Sequence, residues 1–286
     1  MILFLTYHKV LNVPEKEREF YTVQAEQLEQ QLEMIQQNGL QPLSVEDLVG
    51  DGMQQPPSAI SASIKGQIHR NDVCVSTLAA PGDVPVGHRR TPAGFMLSFD
   101  DGTVDHYEVV YPLLEKSGQK GIFFVPTAKL NRPGYLTSNM VRDMAKAGHT
   151  IGLHGHEHRR LDQFGEEDIR VQMEVSRGAL EELTGTTPTI FAPPGGYVNR
   201  QVQAIALESG VRAIRTMRWG YNRQLNLTAL ECVPLNRNST EAEFKRVLEF
   251  RSQAFAYAAK QIVRNVVPKS LYGPLREMAS RVKSAK

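Results

Sequence analysis

Two short polar stretches carry the residue types that hydrolytic chemistry needs, Ser98-Phe99-Asp100-Asp101-Gly102 and His154-Gly155-His156-Glu157-His158. The first follows an apolar run, Phe95-Met96-Leu97, and stops at a glycine, the pattern of a buried strand ending in an acidic turn. Neighbouring side chains on an extended backbone point to opposite sides, so the two aspartates suit different tasks, one holding a metal and the other handling a proton. In the second stretch His154 and His158 stand four residues apart, a spacing at which two neutral imidazoles converge on one ion. It is not the helical His-Glu-x-x-His signature of zinc proteases: read from His156-Glu157, that pattern needs a histidine at 160, which is arginine. A solvated turn and a histidine-rich surface loop explain each stretch taken alone. Joined to Asp101 on a neighbouring strand end, His154 and His158 instead make a set of two imidazoles and one carboxylate. That set leaves positions open for water and substrate, as a hydrolytic rather than a structural site does.

The elements that must position these residues alternate along the chain. Residues 1–7 read as a first strand ending at Tyr7-His8, and Thr22 as the cap of a helix with Leu28, Leu32 and Ile35 on one face and Gly39 at its end. Residues 40–43 read as a short strand and Ser44 as the start of a helical turn. From Asp51 to Gly94, prolines and serines break every period, the mark of a long surface insertion, with Val73-Cys74-Val75 as a small strand inside it. Beyond the acidic turn come a helix at 104–117, a strand at 121–125, a helix capped by Thr137 and a strand at 150–153. A helix at 166–184, a strand at 188–192, a helix at 200–209 and strands at 211–215 and 230–235 follow. Apolar strands alternating with helices mean a parallel α/β sheet, open or closed into a barrel, with chemistry at strand C-termini. Tyr7-His8, Asp100-Asp101 and His154 all fall at such ends.

Composition narrows the classes. The 286 residues are 41% hydrophobic and 22% charged, with a formal net charge of +2, too mild to argue for a nucleic-acid partner. Cys74 and Cys232 make neither a paired metal motif nor a disulfide framework, so a reducing compartment is permitted. With no basic leader or cleavage-type sequence in residues 1–9 and no run of membrane-spanning length, the expected location is cytoplasmic.

The Ser-Phe-Asp-Asp-Gly stretch, followed by His154-x-x-x-His158 after an Ile-Gly strand, resembles the polysaccharide deacetylases that share the NodB homology domain. Tyr7-His8-Lys9-Val10 and Phe191-Ala192-Pro193-Pro194-Gly195-Gly196 are similar to further parts of that pattern, and the likeness extends over residues 1–240. The resemblance implies a distorted (β/α) barrel and metal-dependent removal of acetyl groups from N-acetylated sugars. It implies Asp100 as general base, Asp101, His154 and His158 as ligands of a divalent metal, usually zinc, and the N–H of Gly195, after Pro194, as an oxyanion donor.

The sequence also departs from the family pattern. Ala192 stands where many members carry an arginine that orients the base, with Arg215 and Arg218 as candidate substitutes. The fourth motif is reduced to Thr216-Met217-Arg218-Trp219, whose tryptophan suits either a sugar-lining or a core position. No histidine follows His158 to serve as the family's general acid, which leaves His8 as the first candidate for that role and His156 as the second. The expected partner is an acetylated carbohydrate in glycan assembly. An O-acetyl esterase using the same groups and a catalytically weak glycan-binding protein are the alternatives. Residues 241–286 read as a helical C-terminal extension starting at Thr240; residues 243–286 hold ten Lys and Arg against three Glu, a net of +7. Such a stretch either lies on an anionic membrane surface, placing the protein peripherally at its inner face, or packs on the barrel with a solvated basic face.

Overall fold

The computed structural model describes residues 1–11, 20–50 and 94–250. Seven parallel strands close into a barrel: β1 (Ile2–Tyr7), β4 (Gly94–Phe99), β5 (Gly121–Val125), β6 (Thr150–Leu153), β7 (Ile190–Phe191), β8 (Ala213–Trp219) and β9 (Leu230–Pro234), with β9 returning to pair with β1. Of the two sheet forms left open by the alternation, the closed one is found.

Both faces of these strands are buried, and residue parity sorts their side chains. Ile2, Phe4, Met96, Ile122, Phe124, Ile190, Ala213 and Cys232 fill the barrel, closed at its N-terminal end by Val45, Leu48 and Val49 of α2 (Val45–Val49). Leu3, Leu5, Phe95, Leu97, Phe99 and Phe123 face outward to the helices. Each such fully buried side chain contributes about 1.5–3 kcal/mol of transfer free energy. At the C-terminal end the same inward parity that places Met96 in the core brings Ser98 and then Asp100 inside, so the apolar filling gives way to polar groups. Thr6 Oγ1 and Ser98 Oγ form a buried hydrogen bond of 2.9 Å beneath the carboxylate layer.

Outside the barrel lie α1 (Ala25–Asn38), α3 (Tyr111–Ser117), α4 (Ser138–Lys146), α5 (Glu166–Thr184), α6 (Arg200–Glu208) and α7 (Glu241–Leu248). The expected helix at 104–117 begins with a π-helical turn over His106–Val110. Thr137, Ser44 and Thr240 cap their helices as expected, each with its hydroxyl accepting a backbone N–H. Phe244 and Leu248 of α7 are buried in the main outer core, so residues 241–248 pack with the barrel.

Two local expectations are corrected. Thr22 does not cap α1: Thr22–Gln24 is a strand, β3, paired in parallel with β2 (Lys9–Leu11), and the helix starts after Gln24 without a side-chain cap. Pairing of β-branched Thr22 and Val23 with β2 overrides the local capping preference. Residues 40–43 make only a bridge at Pro42↔Phe95, because Ser44 directly afterwards turns the chain into α2 as its cap. The calls for 51–93, including Val73-Cys74-Val75, and for the basic stretch beyond Phe250 lie outside the described residues. Among the described residues no helix is long and apolar enough to cross a membrane.

Candidate active site

Asp100, Asp101, His154 and His8 meet at the C-terminal mouth of the barrel because each ends or immediately follows a strand. Asp101, just past β4, has φ 78°, and His158 has φ 58°; both are left-handed, a conformation that costs a non-glycine residue about 1–3 kcal/mol. Those two turns swing the side chains back over the barrel. One ligand-type atom from each of Asp101, His154 and His158 lies within 4.8 Å of the others.

The three groups are oriented from outside. His154 Nδ1 donates to the Ala192 carbonyl oxygen at 2.6 Å, which leaves Nε2 facing Asp101 Oδ1 at 3.2 Å. His158 Nε2 lies 2.8 Å from the same Oδ1, yet it is buried and makes no aligned hydrogen bond. An orphaned ring nitrogen beside a carboxylate fits a shared cation better than a direct contact. Burial pushes the Asp101 carboxyl upward, but the adjoining His154 and His158 imidazoles outweigh it and hold the group well below the usual range, so it is an anion. Two imidazole nitrogens and one carboxylate oxygen suit a divalent ion such as zinc. The loop bearing His156 to His158 is anchored to α5 by Gln172 Oε1, which accepts from the backbone N–H of His156 and of Glu157 at 3.1 and 2.9 Å.

Asp100 belongs to a different constellation. It is 2% exposed, and the guanidinium of the fully buried Arg215 contacts both of its carboxylate oxygens, Nη2 to Oδ2 at 2.5 Å. Arg215 sits on β8 with the inward parity of Ala213 and Met217, and its guanidinium stacks 5.0 Å from the Phe124 ring centroid. Arg218, the other candidate substitute, has the opposite parity, is largely exposed and faces Glu231 at 3.5 Å. The cation absent at position 192 is thus supplied by the next strand.

His8 Nε2 lies 3.8 Å from Asp100 Oδ2, and its ring stacks on Tyr21 with centroids 4.6 Å apart. Burial, the largest influence, pushes the His8 pKa down against the pull of Asp100 and Asp101, which keeps the imidazole neutral near pH 7. Two residues that sequence reasoning passed over hold this segment. His106 Nε2 donates to the His8 carbonyl oxygen, and Asp105 Oδ2 accepts from Val10 N–H at 2.7 Å. Both occupy the start of the π-helical turn, a feature often found beside functional sites and without a sequence signal of its own. His156 points elsewhere, with Nδ1 2.8 Å from Thr127 Oγ1.

Pro194 is buried beside Gly155, and Gly195 and Gly196 both have positive φ, 69° and 74°. Gly196 is confined further, because a Cβ there would meet the Met217 backbone nitrogen at 2.5 Å. The Ala192 contact brings this turn, with Gly195, against the His154 side of the cluster. Trp219 is half-buried and packs edge-to-face on Tyr221 at 5.4 Å, within the layer that covers the outer core.

Comparison with known proteins agrees with this geometry. Residues 88–214 match the polysaccharide deacetylase family. It is 24% identical over 155 residues to a putative polysaccharide deacetylase, YxkH, of Bacillus subtilis, covering 54% of this chain and 56% of that one. It is 29% identical over 135 residues to the peptidoglycan-N-acetylglucosamine deacetylase PgdA of Listeria monocytogenes, covering 46% of this chain and 28% of that one. The chain therefore spans only about half, or less, of these relatives' length. In fold it is similar to the Streptococcus pyogenes deacetylase PplD, with a TM-score of 0.67 at 21% identity over 86% of this chain and 97% of the other. IcaB of Ammonifex degensii gives 0.66 at 19% over 87% and 97%.

Proposed function

We propose that this protein is a metal-dependent hydrolase that removes N-acetyl groups from an amino-sugar glycan or its precursor. The observation that supports this best is the division of labour between adjacent carboxylates: Asp100 is gripped by Arg215, while Asp101 faces the two imidazoles of His154 and His158. A divalent ion, with zinc the natural match to this donor set, polarises the acetyl carbonyl and acidifies water when bound. The chain does the rest. Asp100 takes the proton of the attacking water, held in place by Arg215 Nη2, which meets both of its carboxylate oxygens. The Gly195 N–H, pre-set by its left-handed turn, donates to the developing oxyanion. Neutral His8 has no surplus proton, so as the 3.8 Å gap between Asp100 Oδ2 and His8 Nε2 closes, the proton that Asp100 took from water passes to the imidazole, and His8 delivers one to the leaving amine.

Acetate release from acetylated chito-oligosaccharides, set beside release from acetylated sugar esters, is the test. Turnover of the amides supports the proposal. Turnover of the esters alone makes the protein an O-deacetylase using the same groups, and binding without turnover of either makes it a glycan-binding protein.

A further inference from the structure

Tyr197 follows the Gly195-Gly196 turn and is 42% exposed, yet its ring is held on more than one side. The Arg160 guanidinium lies 3.5 Å from the ring centroid. Arg160 is itself fixed by a fork on Asp162, Nε to Oδ1 at 3.1 Å and Nη2 to Oδ2 at 2.6 Å. Asn199 Nδ2 donates to the Asp162 carbonyl at 3.4 Å, tying the loops together. On its inner side the ring lies against Gly195, where a Cβ would come within 3.0 Å of it. Arg160 is two residues beyond His158, so the ring is braced between the metal-type cluster and the proposed oxyanion donor.

An exposed aromatic normally gains nothing from being ordered, and ordering costs side-chain entropy. A ring immobilised beforehand loses none of that freedom when a ligand stacks on it. Arg160 covers one face of the ring, which leaves the opposite flat, amphipathic face to suit the C–H face of a pyranose. We propose that Tyr197 is a stacking platform for the sugar adjoining the acetylated one, which makes the site selective for oligosaccharides over single sugars. This rests on the deacetylase reading above.

The experiment compares the wild type with Tyr197→Ala, Tyr197→Trp and Arg160→Gln, using tetra-N-acetylchitotetraose, N-acetylglucosamine and 4-nitrophenyl acetate as substrates. Tetrasaccharide affinity is measured separately by calorimetry. Tyr197→Ala raises KM for the tetrasaccharide about tenfold, the equivalent of ~1.4 kcal/mol. Its kcat on the tetrasaccharide and its hydrolysis of 4-nitrophenyl acetate stay within about twofold of wild type, below the tenfold step of 1.4 kcal/mol. Tyr197→Trp restores KM, and Arg160→Gln, which removes the brace but keeps the ring, raises it less and serves if Tyr197→Ala does not fold. An unchanged KM, or equal loss on the tetrasaccharide and the ester, overturns the platform. If the wild type releases no acetate from the tetrasaccharide, the deacetylase reading fails by itself. Calorimetry then decides the platform: weaker binding by Tyr197→Ala supports it, and equal binding or none by either protein overturns it.

Discussion

Replacing Arg215 with methionine keeps an unbranched side chain against Phe124 and removes the charge and the Nη2 contacts with Asp100. Asp100 is 2% exposed and Arg215 not exposed at all, so the variant strands a carboxylate where water cannot compensate it. Breaking a buried pair in this way costs about 3–5 kcal/mol of stability. The freed carboxylate also loses its fixed position, and a misplacement of ~1 Å at a reacting group lowers turnover by about 10²-fold. Urea unfolding monitored by circular dichroism, with acetate release, measures both effects. The double variant Asp100→Asn/Arg215→Met carries neither charge and unfolds at higher urea than Arg215→Met alone. The reasoning is refuted if Arg215→Met stays within about 0.5 kcal/mol of wild type, the range of an ordinary surface change, or if the double variant is no more stable than the single.

Other perturbations separate the remaining roles. Asp101→Asn, His154→Ala and His158→Ala each lose bound metal, whereas Asp100→Asn keeps it and slows turnover by about 10²–10⁴-fold; metal analysis of the purified variants beside acetate-release kinetics checks this. Metal lost from Asp100→Asn and kept by Asp101→Asn would show the two roles reversed. His8→Ala loses activity on amide substrates but retains it on activated esters, whose leaving groups need no proton; equal activity on both excludes His8 as proton donor. Burial, with Lys120 nearby, lowers the His149 pKa to about 4 from 6.5. Its Nδ1 accepts from Gly121 N–H at 3.1 Å and its Nε2 faces Glu115 at 3.1 Å, so the folded state holds it neutral. The unfolded chain therefore binds the extra proton between those values, and stability from this group, full above pH ~6.5, falls by ~1–3 kcal/mol as pH drops to about 4. Unfolding curves of His149→Phe should lack that part of the pH slope, and an unchanged slope discards it.

The residues alone determined most of the candidate site's composition. Strand-end position and the period of two separate Asp100 from Asp101, and the four-residue spacing pairs His154 with His158, because these are local consequences of backbone geometry. The repeated strand-helix alternation likewise dictates a parallel sheet. Closure of that sheet was not legible, since it depends on β9 pairing with β1 across most of the chain. Nor was the choice between Arg215 and Arg218, three residues apart and chemically alike; only barrel parity turns one inward onto Asp100 and the other out to Glu231. Thr22 was a sound cap by type and became a strand residue because Lys9–Leu11 offered it a partner. His106 and Asp105 support the His8 segment through contacts nearly a hundred positions apart in the chain, which no local pattern encodes. Local geometry assigns side chains to a face, but long-range pairing decides which faces meet.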